Sequence, residues 1–132
     1  MENYFAPTLE VGGTGIKCVK SKLPNTALVI NLINLPNPYT AISRKTLERE
    51  PNAIIDWMLL SDKTAQSKLE SAVERAVHEL SEGRSVRLEC YGGRDRSQAV
   101  AWKVLQSLRE DVRKTVVLEC LDASVMEGLC VN

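Results

Sequence analysis

Apolar residues recur at intervals of three and four between residues 63 and 80, a spacing that predicts an amphipathic helix. Ser61 or Asp62 is the candidate N-cap of this helix, and Gly83 follows its expected end. We therefore expect one face of the helix to pack against a core while the other meets solvent. The positions that form the apolar face are Leu69, Ala72, Val73, Ala76, Val77 and Leu80.

The segment after residue 97 carries a similar apolar face, which predicts a second helix. Its apolar positions are Val100, Ala101, Val104, Leu105 and Leu108. Residues 43–50 form a candidate short helix. The apolar stretch at 54–60 has no period that separates helix from strand, so its structure stays open at this point.

Runs of apolar and β-branched residues alternate with these helices and indicate strands. The run ALVINLI at 27–33 predicts an interior strand covered on both faces, and SVRLEC at 85–90 and TVVLECL at 115–121 predict two more. The short run at 16–20 is a fourth candidate. Strands that alternate with helices predict right-handed crossovers. We therefore expect a small three-layer α/β domain, with a mostly parallel sheet of about four strands and helices on both faces.

Length and charge narrow the possible functions. The chain has 132 residues, which suits a single domain over residues 1–132 with a sizeable core. Its 17 Lys and Arg residues balance 17 Asp and Glu residues, so no net field gathers nucleic acid or an anionic membrane over long range. Any site for an anion must therefore be local.

The cysteines, the histidine and the first residues argue against further classes. The 4 cysteines form no C-x-x-C pair and His78 is the 1 histidine, so we expect no metal site, and no motif indicates a cofactor. The start MENYFAPTLE lacks the basic residues and apolar run of a signal peptide, and no stretch approaches the roughly 18 apolar residues of a membrane span. We expect a cytoplasmic protein with reduced thiols and no membrane partner.

The segment CYGGRDRS at 90–97 carries the clearest candidate chemistry. It lies where a strand should turn into a helix, which is where parallel α/β sheets bind ligands. Gly92 and Gly93 can let successive N–H groups curl inward, and the start of the helix adds unpaired N–H groups and the positive end of its dipole. Arg96, with Arg94 beside it, offers planar donors suited to phosphate oxygens, and Ser97 can cap the helix or bind the ligand.

Two other interpretations of this segment stay open. The glycine pair can form an ordinary tight turn with solvated arginines. The segment also satisfies C-x5-R-S, the spacing of the cysteine phosphatase loop, in which Cys90 would be the nucleophile and Arg96 would hold the phosphate. Glu89 precedes the cysteine, but neighbouring residues in a strand point to opposite faces, so its carboxylate need not touch the sulfur. The glycine-rich EVGGTGIK at 10–17 is interpreted as a turn.

The order of LPNP at 35–38, a long helix and then CYGGRDRS at 90–97 resembles the C-terminal domain of RapZ, the RNase adapter protein, over roughly residues 27–121. The resemblance implies an α/β domain that binds small regulatory RNA and senses an amino-sugar phosphate through the glycine loop. Asp95 stands where that family usually has histidine. Carried over by position, the resemblance and the loop together give the candidate ligand-binding residues Cys90, Tyr91, Gly92, Gly93, Arg94, Arg96, Ser97 and Asn37.

The leading hypothesis is a RapZ-C-like domain that holds a small phosphorylated metabolite or a nucleotide-like ligand, as a sensor, adapter or sequestering protein. One alternative is a cysteine-dependent phosphatase or phosphotransferase with Cys90 as its catalytic residue. Another is a small RNA-binding adapter, although RNA affinity depends on clustered Lys and Arg. The expected partner is thus a small phosphorylated ligand, with RNA and a homo-oligomer as open alternatives.

Overall fold

The computed structural model describes residues 6–38 and 50–129. The segment at 43–50, a candidate short helix, lies outside the described residues except for its last member. Over the rest, helices separate the successive strands except the first two. In chain order the elements are β1 (Thr8–Gly13), β2 (Leu28–Asn31), α1 (Pro51–Ser61), α2 (Ala65–Ser81), β3 (Val86–Cys90), α3 (Asp95–Ser107), α4 (Glu110–Arg113), β4 (Val117–Cys120) and a 3-10 turn (Glu127–Leu129).

The sheet has four parallel strands in the order β2-β3-β1-β4. This confirms the α/β fold class and the parallel sheet. The first strand is different from the one we expected, because the candidate at 16–20 is not a strand and β1 lies upstream of it. In β1 the fully buried Leu9 and Val11 alternate with Glu10, which lies on the other face. Ile16, by contrast, is 98% exposed.

The expectation of an interior strand at 27–33 is also wrong. Strand β2 lies at one edge of the sheet, where it pairs only with β3 among the described strands. Ile30 is buried toward the helices, but Val29 on the opposite face is 48% exposed. A run of β-branched residues is therefore compatible with an edge strand that has one covered face.

The long helices share one face of the sheet. Helices α1, α2 and α3 contact one another and enclose a single apolar core with the inward side chains of the strands. The connection from β1 to β2 runs in the opposite direction along the sheet, so the right-handed rule places it on the other face. Residues 14–27, which form this connection, contain no helix.

Charged residues pair on this second face. The buried carboxylate of Glu10 accepts hydrogen bonds from Ser21 Oγ at 2.6 Å, Lys22 N–H at 2.9 Å and Arg87 Nη1 at 2.7 Å. Arg87 Nε donates to Glu89 at 2.8 Å. Burial alone would lower the pKa of Arg87, but its bonds to Glu89 and Glu10 outweigh that effect and raise the pKa above its ordinary value. The network satisfies charges that would be costly to bury alone.

The helix predicted at 63–80 is confirmed, but Thr64 holds the N-cap position that was expected at Ser61 or Asp62. Asp62 Oδ1 accepts hydrogen bonds from Thr64 N–H and Oγ1, both at 2.8 Å, and α2 begins just after this turn. The bonds from Thr64 lower the pKa of Asp62 below its ordinary value. At the other end Gly83 has φ +80°, a left-handed conformation that stops helices. The undecided stretch at 54–60 belongs to helix α1.

Candidate functional site

The loops that follow β2, β3 and β4 meet at the carboxyl edge of the sheet around a cleft of about 440 Å³. After β1 the chain crosses one face, whereas after β3 it continues into α3 on the other face, so these neighbouring strands form a topological switch point. Such a position is where open α/β sheets bind ligands. The cleft is lined by Asn37, Cys90, Tyr91, Gly92, Arg94, Asp95, Arg96, Asp122 and Ala123. Six of these lining residues were predicted as ligand-binding, and the structure brings them together.

The second glycine lets the loop after β3 pack closely against the end of β1. Gly93 has φ +67°, which disfavours any residue with a Cβ. A Cβ there would also lie 2.5 Å from the Gly12 carbonyl carbon and 2.5 Å from the Gly13 nitrogen. Gly13 in turn leaves room for the backbone at 91–92, a role that the sequence alone did not suggest.

The loop contains a row of backbone N–H groups that find no acceptor among residues 6–38 and 50–129. Within the described residues, no hydrogen bond is formed by the backbone N–H groups of Gly92, Gly93, Arg94, Arg96 and Ser97. Three of these residues line the cleft. Helix α3 begins at Asp95, so the later N–H groups belong to its first turn and share the positive end of its dipole. The arrangement can hold an anion.

Arg96 is held more firmly than we expected. Its side chain is buried, and Nη1 donates to the carbonyl oxygens of Ile33 and Leu35, both at 3.0 Å. These bonds tie the LPNP segment to the glycine loop across the carboxyl edge. Arg96 still lines the cleft, but one arm of its donor fork is already used by the protein. Its first role is therefore to position one loop against another.

Cys90 ends β3 at the base of the cleft and is 3% exposed. Its Sγ lies 3.2 Å from Ser97 Oγ, within hydrogen-bond distance. Ser97 thus contacts the cysteine and does not line the cleft. Glu89 pairs with Arg87 on the opposite face, as the alternation of side chains in a strand predicted. The contact joins the two ends of the C-x5-R-S segment.

Two acidic residues line the cleft, and of these Asp122 was missed in the sequence. Asp122 follows β4, and its carboxylate accepts the Gly13 N–H at 2.8 Å and the Val19 N–H at 2.5 Å. It therefore ties the end of β4 to the connection that leaves β1. Asp95 lies in the first turn of α3, with Oδ1 3.5 Å from Arg94 Nε. The signal for Asp122 was its position directly after a predicted strand.

The described residues contain no group of three or more His, Cys, Asp and Glu side chains that could hold a metal ion. The helices in the same part of the chain include none that is long and apolar enough to cross a membrane.

The sequence of the chain also matches a known protein family. The family model of the RapZ C-terminal domain matches residues 17–122, well over half of the chain. The chain belongs to the RapZ C-terminal domain family. Neither a curated protein nor a solved structure matches it.

The matched part of this RapZ C-terminal domain contains every lining residue of the cleft except Ala123, whereas β1 lies before it. Gly12 and Gly13, which receive the glycine loop, are thus outside the family match.

Proposed function

We propose that this domain binds a small phosphorylated molecule in the cleft, with the phosphate group on the backbone N–H groups of residues 92–97. The observation that carries the proposal is the row of N–H groups that no described residue accepts. Four of these residues are buried or half-buried, namely Gly93, Arg94, Arg96 and Ser97, whereas Gly92 is exposed. Buried donors are usually satisfied, so a site that leaves several open is suited to a ligand with several acceptor oxygens. Phosphate has this chemistry.

The charges around the cleft support a modest rather than a strong anion site. Arg94 and Arg96 line the cleft together with the carboxylates of Asp95 and Asp122, so the positive side chains are balanced. The backbone N–H groups and the start of α3 then supply the remaining positive potential. We expect a ligand that is small and carries little charge beyond one phosphate.

Arg94 gives a cleaner test of this proposal than Arg96. Removing the Arg96 side chain would also break its bonds to Ile33 and Leu35 and loosen the LPNP segment. The Arg94 side chain is partly exposed, and its one ion pair within the described part of the chain is a 3.5 Å approach to Asp95. Arg94→Gln therefore removes a cation from the cleft with little expected effect on folding.

Arg84→Gln is the matched control, because it makes the same change in net charge at a surface ion pair with Glu79, near the end of α2. Thermal shift and calorimetry with orthophosphate and a panel of phosphorylated metabolites would be run on all three proteins. We expect Arg94→Gln to weaken binding about ten-fold or more, the usual effect of a lost charged hydrogen bond, while the control binds as the native chain. Equal weakening in both variants, or no binding of any phosphorylated compound, would contradict the proposal.

A cysteine-dependent phosphotransferase is the second candidate. It is favoured by the placement of Cys90 at the base of the cleft, with Ser97 Oγ 3.2 Å from the sulfur. It is disfavoured by the use of Arg96 Nη1 on two backbone carbonyls. The test is turnover of an aryl phosphate, which must disappear in Cys90→Ser while binding persists. Activity that survives in that variant would remove the proposed nucleophile.

The RNA-binding adapter rests on the family resemblance alone. The net charge of the chain is 0, and a phosphate backbone is bound mainly by clustered cations. Binding that falls steeply with salt would support this alternative, and no measurable binding at low salt would exclude it.

A further inference from the structure

An aromatic side chain stands at the mouth of the cleft. Tyr91 lines the cleft and is 65% exposed, an unusual state for so large a ring. The ring rests against the loop after β1, because a Cβ on Gly15 would lie 3.5 Å from Tyr91 Cζ. Among the described residues Tyr91 is the only aromatic one that lines the cleft, since Trp57 and Trp102 pack against the core.

The backbone that carries the ring is held next to the phosphate-binding groups. Thr14 N–H and Gly15 N–H donate to the Tyr91 carbonyl oxygen at 3.1 and 3.0 Å, so the loop after β1 holds its backbone. Gly92, the next residue, contributes one of the open N–H groups. Because the Tyr91 backbone is already ordered, stacking a ligand ring on its side chain costs less conformational entropy than it would on a mobile loop.

Two further polar residues line the cleft. They are Asn37 and Asp122, and the Asp122 carboxylate accepts the Gly13 and Val19 N–H groups. The four charged side chains of the lining are two arginines and two aspartates. Each phosphate added beyond the first would therefore meet carboxylates without meeting a further cation.

We propose that the ligand is a monophosphate that carries a planar ring, the class of the nucleoside monophosphates, with the ring stacked on Tyr91 and the phosphate on the loop at 92–97. This rests on the proposed function, whose anion site it extends. The class excludes polyphosphates because of the balanced charges. It also distinguishes the ligand from an aliphatic sugar phosphate, which would leave the Tyr91 ring without a partner.

Calorimetry at constant salt tests the two claims separately. The probes are orthophosphate, ribose 5-phosphate, a uridine and an adenosine monophosphate, and the matching triphosphates. The proteins are the native chain, Tyr91→Phe, which keeps the ring, and Tyr91→Leu, which keeps apolar bulk without it. In the native chain and Tyr91→Phe we expect a nucleoside monophosphate to bind about ten-fold tighter than ribose 5-phosphate, from base stacking. In Tyr91→Leu this preference should fall to within about two-fold, with ribose 5-phosphate binding unchanged.

The outcomes separate this inference from the proposed function. If ribose 5-phosphate binds the native chain as tightly as the nucleoside monophosphates, or if Tyr91→Leu keeps the preference, the ring claim is wrong and the phosphate site stands. A triphosphate that binds more tightly than the monophosphate overturns the charge argument. If no phosphorylated probe binds any of the three proteins, both proposals fall together.

Discussion

The close approach of the glycine loop to β1 predicts that Gly93→Ala will be strongly destabilising. The left-handed conformation at φ +67° costs an ordinary residue roughly 1–2 kcal/mol. The new Cβ would in addition lie 2.5 Å from backbone atoms of Gly12 and Gly13, which have no flexible side chain that could move away. Overpacking of this kind costs about 1–3 kcal/mol.

Two other glycines separate these contributions. Gly83 has φ +80° but open space around its Cα, so Gly83→Ala carries the conformational cost alone, about 1 kcal/mol. Gly92 has neither a positive φ nor a neighbour within 4 Å, so Gly92→Ala should stay within about 0.5 kcal/mol of the native chain. For Gly93→Ala the sum is about 2–4 kcal/mol, once the lower entropy of the unfolded variant is counted.

Equilibrium unfolding in urea measures all three variants against the native chain. The account predicts the order Gly92→Ala, Gly83→Ala, Gly93→Ala from most to least stable, with unchanged denaturant slopes. A Gly93→Ala protein that is no less stable than Gly83→Ala would refute the close packing of the loop against β1. The anion site would then lose the contact that shapes it.

Three further predictions concern neighbouring features. Arg96→Lys keeps the charge but loses the planar fork that bonds two carbonyls, so unfolding in urea should show a loss of about 1–2 kcal/mol, and native stability would contradict those bonds. Gln98→Leu leaves two backbone groups of residues 124–126 without their side-chain partner, and we expect a loss of about 2–3 kcal/mol in the same assay, where a neutral change would be the contrary result. The bonds from Thr64 lower the pKa of Asp62 from 3.8, so the stability that the ionised carboxylate contributes is present above that pH and is lost as the pH falls through the lowered pKa. The difference in unfolding free energy between the native chain and Asp62→Ala should therefore shrink in acid, and a constant difference would argue against the bonds.

Much of the fold followed from local patterns. The apolar stripe of α2 was predicted correctly because a helix that packs on one side must repeat at three to four residues. The left-handed Gly83 at its end was likewise a local signal. The loop at 90–97 was placed correctly because its position depended only on a strand before it and a helix after it.

The predictions that were wrong concern features that depend on residues far apart in the sequence. Strand β1 was missed because its alternation includes Glu10, whose burial depends on Arg87. It also contains two glycines that are packed against residues distant in the sequence, Gly12 against Arg87 and Gly13 against the loop after β3. The edge position of β2 is a property of strand order, which a single run of residues does not carry. The bonds from Arg96 reach carbonyls more than sixty positions earlier in the chain, so no local pattern could indicate that one arm of its fork is occupied.

The most direct test of the anion site is an amide NMR titration of the nitrogen-labelled domain with orthophosphate. The account predicts that the largest and saturable shifts come from the N–H groups of Gly92, Gly93, Arg94 and Arg96, which no described residue accepts. Shifts centred on the exposed lysines Lys17 and Lys20 instead, or no saturable shift in the loop at all, would contradict it.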